Sequence, residues 1–452
     1  MNENRNRLFL GACFALIVTS VSFAVRSKCE EVFRVDYGLS PEEIGWAIGP
    51  AFWGFTAAMV IGGLIIDIVK TKTIIWTGFV LHLLGIITLI FADTKISFYL
   101  GNLFFGLGNG CVEASFNPMI ATLFPNEKTK MLNRFHVWFP GGIVIGGLLA
   151  YLMMDLMGLS HQLYIGVMLI PLLIYGYLFI GQSIPETERV ANKVSYSDMI
   201  KATGAPFMLL VATLVMFVLA NFGQLPFVSA CLNFFPEKFG FSPSSMYIVI
   251  VAVLLVAALA EGKLAWGAKL VFPLMFFMML LTAATELVTT QWMNALFQNA
   301  GVNAMVLLAL ITAIMAVGRF FAGGLVHKFN PAGVLLISSI LALIGLYMMS
   351  VASGPAFTII SAIVFAVGVC YFWPTMLGYV AEYVPESGAL GMSIMGGAGM
   401  VSVAMFLPML GGVMEKDGTQ TALRFMGFFP LILIAGFLVL LFVYGRKQNT
   451  ES

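Results

Sequence analysis

GGLIIDIVKTK, Gly62 to Lys72, closes one long apolar run and turns at once into the next. Its glycines let neighbouring helices approach closely, and Asp67, Lys70 and Lys72 then gather at a very short turn. A weaker copy, GRFFAGGLVHKF from Gly318 to Phe329, ends the second apolar run of the last six. Small residues followed by a cationic turn, at matching places in two halves, point to a chain built from related units.

Working outward, the surroundings of both turns are apolar almost throughout. The chain has 452 residues, of which 60% are hydrophobic and 10% charged. Its mean hydropathy is +0.97. A soluble domain of this size would lack the polar surface to cover itself. About fourteen apolar runs of roughly 18 to 27 residues are each long enough to cross ~30 Å of hydrocarbon. The expected fold is therefore an all-α, multi-pass membrane protein.

Six runs precede a polar stretch, IPETERVANKVSYSDMIKATGAP, and six follow Val271. Between them lies an apolar pair, residues 207–229 and 244–262. The expected organisation is an N-terminal six-helix bundle (1–190), a loop with two additional transmembrane helices (191–270), and a C-terminal six-helix bundle (271–452). With the N-terminus inside, all of the 23 Lys and Arg fall on the cytoplasmic side except Arg26, Lys28, Arg34, Lys95, Lys238, Lys416 and Arg424. That bias predicts both termini in the cytoplasm, in a plasma membrane of the bacterial inner-membrane type. The first run has Arg5 and Arg7 ahead of an apolar core and reads as a signal anchor, because further spans follow it. The five cysteines are scattered without metal-ligand spacing, so no metal or cofactor is implied. Nucleotide-binding and hydrolase motifs are absent, which argues against an enzyme, and nucleic-acid binding is excluded.

The turn GGLIIDIVKTK resembles the G-x-L-x-D-x-x-x-[RK]-[RK] signature of the major facilitator superfamily, with Gly63, Asp67 and Lys72 in place and Lys70 where glycine is usual. The resemblance implies two six-helix bundles, here with two extra helices between them. It also implies a central cavity lined by the first, fourth, seventh and tenth core helices.

Each of those helices carries polar residues at helical spacing. Helix one has Thr19, Ser22, Arg26 and Glu30; helix four has Asn102, Asn109, Glu113 and Asn117. Helix seven has Thr282, Glu286, Thr290 and Asn294, beside Gln291 and Trp292. Helix ten has Tyr371, Thr375, Tyr379 and Glu382, beside Trp373. A carboxylate deep in a bilayer is costly and normally faces a partner or a water-filled path. Desolvation disfavours its charge, which makes Glu113 and Glu286 candidates for proton exchange. Asn109, Asn117, Gln291 and Asn294 can donate and accept to a polyol, and Trp138, Trp292, Tyr371 and Trp373 can stack on a sugar ring.

Simpler readings stand beside these. Glu113 can be a structural carboxylate pinned by an arginine. Arg26 can snorkel outward and pair with Glu30, one turn on. His136 can be a packing residue. Asp67, Lys72, Arg319 and Glu382 lie at expected cytoplasmic helix ends, where gating salt bridges are the natural assignment.

G-x-G-x-x-E-x-x-x-N-P, here Gly108 to Pro118, followed by LNRFHVWFPGG, resembles the fucose permease group of sugar:proton symporters. The resemblance implies sugar and proton roles for Glu113, aided by a helix-one carboxylate. By position that is Glu31, although helical spacing puts Glu30 on the Arg26 face, and the choice stays open. His136 stands where the group has glutamine, and Arg26, Ser27 and Lys28 replace an Asn-rich segment. The expectation is a proton-coupled secondary transporter, taken as a monomer, for a sugar or similar small polar solute. The alternatives are an organic-anion transporter using Arg26, or a membrane sensor that does not transport.

Overall fold

The computed structural model describes residues 2–124, 134–187, 271–297, 301–383 and 388–443, with scattered positions between 131 and 214. Among the described residues every regular element is helical. The first six helices are α1 (Asn4–Asp36), α2 (Pro41–Val69), α3 (Thr71–Ile90), α4 (Lys95–Leu123), α5 (Arg134–Leu156) and α6 (His161–Phe179). After the undescribed stretch come α7 (Val271–Gln291), α8 (Ala304–Phe320), α9 (Phe329–Ser350) and α10 (Pro355–Leu377). The apolar segment Leu390–Phe442 bends at Gly418, where φ is +81°, and divides there into α11 and α12. Nine of the described segments are long and apolar enough to cross a membrane. The expected extra pair, 207–229 and 244–262, falls almost wholly outside the described residues, and so does the junction it would make.

Local chemistry explains where these helices begin. Ser40 and Glu43 form a reciprocal capping box before α2, with bonds of 3.2 and 2.8 Å. Thr94 and Ser97 do the same before α4, at 3.1 and 3.0 Å. Each box satisfies two backbone donors that the first turn cannot use. The outward faces are apolar, the reverse of a soluble bundle. Ile61, Ile65 and Ile68 are exposed along one stripe of α2, and Ile170, Leu173 and Tyr177 along one stripe of α6. By contrast α1 and α7 bury 78% and 72% of their apolar windows, which places them at the centre.

Close helix crossings hold the bundle. A Cβ on Gly110 of α4 would stand 2.3 Å from the Phe55 carbonyl of α2, so only glycine permits that approach. Across the two groups of six, Thr56 of α2 donates to the Gly397 carbonyl of α11 at 2.8 Å. Gly147 of α5 packs on the Met305 backbone of α8, and the end of α7 meets α1, where Ser27 donates to the Thr290 carbonyl at 3.2 Å. The two turns singled out in the sequence are alike in backbone. Lys70, with φ +71°, stands just before α3, and Asn330, with φ +53°, breaks the helix at the start of α9.

Candidate functional site

Phe55 of α2, Glu113 of α4, and His136 and Phe139 of α5 face Glu286 and Leu287 of α7, Arg319 of α8, Trp373 of α10 and Met400 of α11 across one internal cavity. It leaves about 20 Å³ for the centres of water molecules, room for one or two waters and far too little for a sugar. The site is therefore seen closed down.

Local backbone puts Glu286 there. Residues Ala284–Val288 form a π-helical turn within α7, which carries one extra residue per turn and shifts the faces beyond it. Nothing in the apolar sequence signals that turn. Arg319 donates to Glu286 Oε1 at 3.1 Å and, through Nε, to the Cys370 carbonyl at 3.0 Å. Both partners are buried, so the guanidinium ties α7, α8 and the start of the α10 bend together. Arg319 was expected at a cytoplasmic gate; it sits instead in the cavity wall, because its helix end tucks under Glu286.

Glu113 meets no lysine or arginine among the described residues. Asn117 donates to its Oε2 at 2.6 Å, one turn along α4. The Asn117 carbonyl then faces His136 Nε2 at 3.1 Å. Since the Asn117 amide N–H₂ is turned to Glu113, His136 must carry its hydrogen on Nε2 and donate it. The three form a relay from cavity to helix five, a link that spacing alone could not supply.

Other expected residues separate from the cavity. Asn109 turns to α3, where its Oδ1 lies 2.9 Å from His82 Nε2. Four residues advance a helix by about 400°, so each step of such a stripe drifts about 40°. Two steps carry Asn109 away from the Asn117 direction. His82, fully buried, was missed; a lone histidine in an apolar run was its only signal. Trp292 is buried and donates to the Leu407 carbonyl at 3.0 Å, joining α7 to α11 rather than offering a stacking face. Trp138 is 40% exposed on the outside of α5. Tyr371 packs by Gly318, next to Arg319. Asp67 accepts from the Thr187 hydroxyl, and Lys72 is exposed at the start of α3. Glu382 lies on helix, with its side chain outside the described residues.

One turn beyond Leu287 on α7, Gln291 reaches helix one. Its Oε1 accepts from Arg26 Nε at 3.4 Å and its Nε2 donates to the Phe23 carbonyl at 3.3 Å. Arg26 also donates to Ser22 Oγ at 3.1 Å, and its guanidinium lies 4.5 and 5.2 Å from the ring centres of Phe23 and Phe52. The expected Arg26–Glu30 pair does not form. Glu30 turns the other way, 3.7 Å from Arg34 Nε.

Further along, where α1 and α5 end, is a polar vestibule of about 390 Å³. Glu31 accepts there from Asn294 Nδ2 at 3.2 Å. Lys28 pairs with Asp155, whose other oxygen accepts from Asn303 at 2.7 Å. Lys28, Asp155 and Asn303 were not candidates from sequence. Asp155 sits in a second π-helical turn, Tyr151–Leu156. Among the described residues no group of three metal-ligating side chains comes together.

The Major Facilitator Superfamily profile matches residues 8–306 of the chain. No curated protein matches it by sequence. Among solved structures it is similar to a D-xylose-proton symporter, with a TM-score of 0.68 and 12% identity over 96% of both chains. It is also similar to the nucleoside transporter NupG, at TM-score 0.63 and 14% identity over 96% of this chain and 99% of that one. The human organic anion transporter MFSD10 (TETRAN) aligns at TM-score 0.61 and 14% identity, covering 96% of this chain and 98% of that one. Identities this low speak to the fold.

Proposed function

The chain belongs to the Major Facilitator Superfamily, and from that premise we propose that it is a proton-coupled secondary transporter for a sugar or similarly hydroxylated small solute, working by alternating access. The observation that carries this reading is the shared cavity. Glu113 from the first six helices, and the Glu286–Arg319 pair from the last six, face one space that the remaining walls close. A site whose walls belong to both groups changes shape whenever they rock against each other, as such folds do. Glu113, which has no cationic partner among the described residues, is the proton site. Its protonation changes the wall charge and with it the preference between inward- and outward-facing states. Glu286 is held by Arg319 and serves to couple α7 to α8. Trp373 is the aromatic surface for a ring. Both termini are cytoplasmic in this reading, and the membrane is a bacterial inner membrane.

The test is uptake by proteoliposomes of purified protein under an imposed inward proton gradient, with a panel of labelled pentoses, hexoses and sugar acids. The expected result is gradient-driven accumulation of at least one of them. Glu113→Gln should cut that accumulation by a factor of about 10 or more, the scale of an ordinary coupling free energy. Counterflow exchange of the same solute should persist. Accumulation of none of the panel would favour a sensor, and accumulation unchanged in Glu113→Gln would remove Glu113 from the coupling.

A further inference from the structure

We propose that the transported solute carries a carboxylate, and that Arg26 is the side chain that reads it. This deepens the transport reading above and rests on it. Arg26 is 4% exposed, deep between α1, α2 and α7. A guanidinium has five N–H donors. Nε is directed to Gln291 and Nη1 to Ser22, while Nη2 has no hydrogen-bond partner among the described residues. Phe23 and Phe52 cover the cation with aromatic faces, an attraction much weaker than the hydration lost on burial. Among the described residues no carboxylate pairs with it.

Two of its charged neighbours on helix one have ion-pair partners. Lys28 is taken by Asp155, and Glu30 leans to Arg34. Among the described residues Arg26 has no ion-pair partner, whereas Glu30, with both oxygens short of a hydrogen bond, at least has Arg34 at 3.7 Å. Buried charges in folded proteins are paired unless a ligand completes them. On the same face of α1, the Thr19 hydroxyl is also buried, with no hydrogen-bond partner among the described residues. An unmet cation with an unmet hydroxyl about two turns away, roughly 10 Å along the helix, matches a ligand with an acid group and hydroxyls. The free Nη2 and the second Nη1 hydrogen form an end-on fork, the geometry that a carboxylate accepts by two parallel bonds.

The layer stands where a passing solute must meet it. Leu287 lines the central cavity, Gln291 is one turn further along α7, and Asn294 opens onto the vestibule. Parting α1 from α7 breaks the Arg26–Gln291 bond and bares the guanidinium to whatever enters. Charge balance then links the two sites. Among the described residues Arg26 is a cation without a counter-charge and Glu113 an acid without one. One carboxylate on Arg26 together with one proton on Glu113 leaves the closed site without an uncompensated charge. A neutral sugar would leave Arg26 unmet, and a dianion would add a charge that Arg26 alone does not balance.

Ligand-induced thermal shift of the full-length protein in detergent tests this, with D-glucuronate against D-glucose, D-galacturonate against D-galactose, and D-gluconate against D-sorbitol. At least one acid should raise Tm where its neutral partner at equal concentration does not. Arg26→Met should lose that shift, with affinity at least about tenfold lower, while its unliganded Tm is equal or higher, because an apolar chain replaces an unmet charge. A structural arginine would behave in the opposite way. If Arg26→Met does not fold, Arg26→Lys answers the same question, since it keeps the charge, loses the fork, and should bind the acid at least about tenfold more weakly. The proposal is overturned if no acid outperforms its neutral partner, or if the variant binds the acid as the wild type does. Gradient-driven uptake of neutral sugars alone would remove the acid site and leave the transport reading. Acid binding through Arg26 without any uptake would do the reverse.

Discussion

Lys70 holds φ +71° and ψ 141°, a conformation that residues with a Cβ rarely adopt. Asn330 holds a near twin, φ +53° and ψ 163°, after α8. Such a backbone stores about 1–3 kcal/mol and is nearly reserved for glycine. Glycine is the residue usual at the Lys70 position in the superfamily's turn, so the strain has a chemical reason. Lys70→Gly should raise thermal stability in detergent by about 1 kcal/mol, the relief less the larger unfolded-state entropy of glycine. An unchanged or lower Tm would mean that the lysine side chain contributes something the backbone does not reveal. Single residues also mark the limit of reading from sequence. Glu113 and Glu286 stood out because a membrane acid is expensive, and both line the cavity. Asn109, Trp138 and Trp292 stood out for the same chemistry and point elsewhere. Composition says that a polar group needs a partner; the face it turns to depends on neighbours that spacing cannot name.

The helices themselves were legible, since runs of apolar residues and Ser/Thr caps are local properties. Their crossings were legible only where glycine marked them. Gly106 and Gly110 let α4 lie on the backbone of α2, with Gly110 leaving 2.3 Å between a would-be Cβ and the Phe55 carbonyl. That carbonyl belongs to a helix and cannot swing aside, so Gly110→Ala must push α2 and α4 apart. The expected loss is about 1–3 kcal/mol, read as a lower Tm in detergent. Gly141→Ala is the control. Its nearest neighbour would be 3.8 Å away at Trp138, and a helix interior gains about 0.5–1 kcal/mol from alanine over glycine. Equal behaviour of the two variants would show that the α2–α4 crossing is looser than its geometry. The π-helical turns at Tyr151–Leu156 and Ala284–Val288 were not legible. They have no residue signature, yet they set the directions of Asp155 and Glu286.

At the scale of the whole molecule, polar contacts between the two groups of helices gather where α1, α5 and α7 end. Asn294 joins Glu31, and Asn303 joins Asp155, which also holds Lys28. Beneath them lie Arg26–Gln291 and then the closed cavity. The same helices must separate at this end for the site to open there. The bonds are partly exposed, so they can break without stranding a charge in hydrocarbon, which suits a seal that opens on each cycle. Asp155→Ala removes the acceptor shared by Lys28 and Asn303 and leaves Lys28 able to meet water. A charge-assisted bond and an ion pair in such a setting contribute about 1–2 kcal/mol together. Losing them should change the closed-to-open ratio at this end by roughly 5- to 30-fold. Spin labels at Val35 and Val351, exposed beside this end on α1 and after α9, report it as a distance distribution. In Asp155→Ala a longer-distance population should grow at the expense of the closed one. Glu31→Gln, which keeps a hydrogen bond to Asn294, should shift it less. A distribution unchanged in Asp155→Ala would mean that the apolar packing of α2 on α11 and α5 on α8 closes this end unaided. The polar seal would then serve the vestibule rather than the transition.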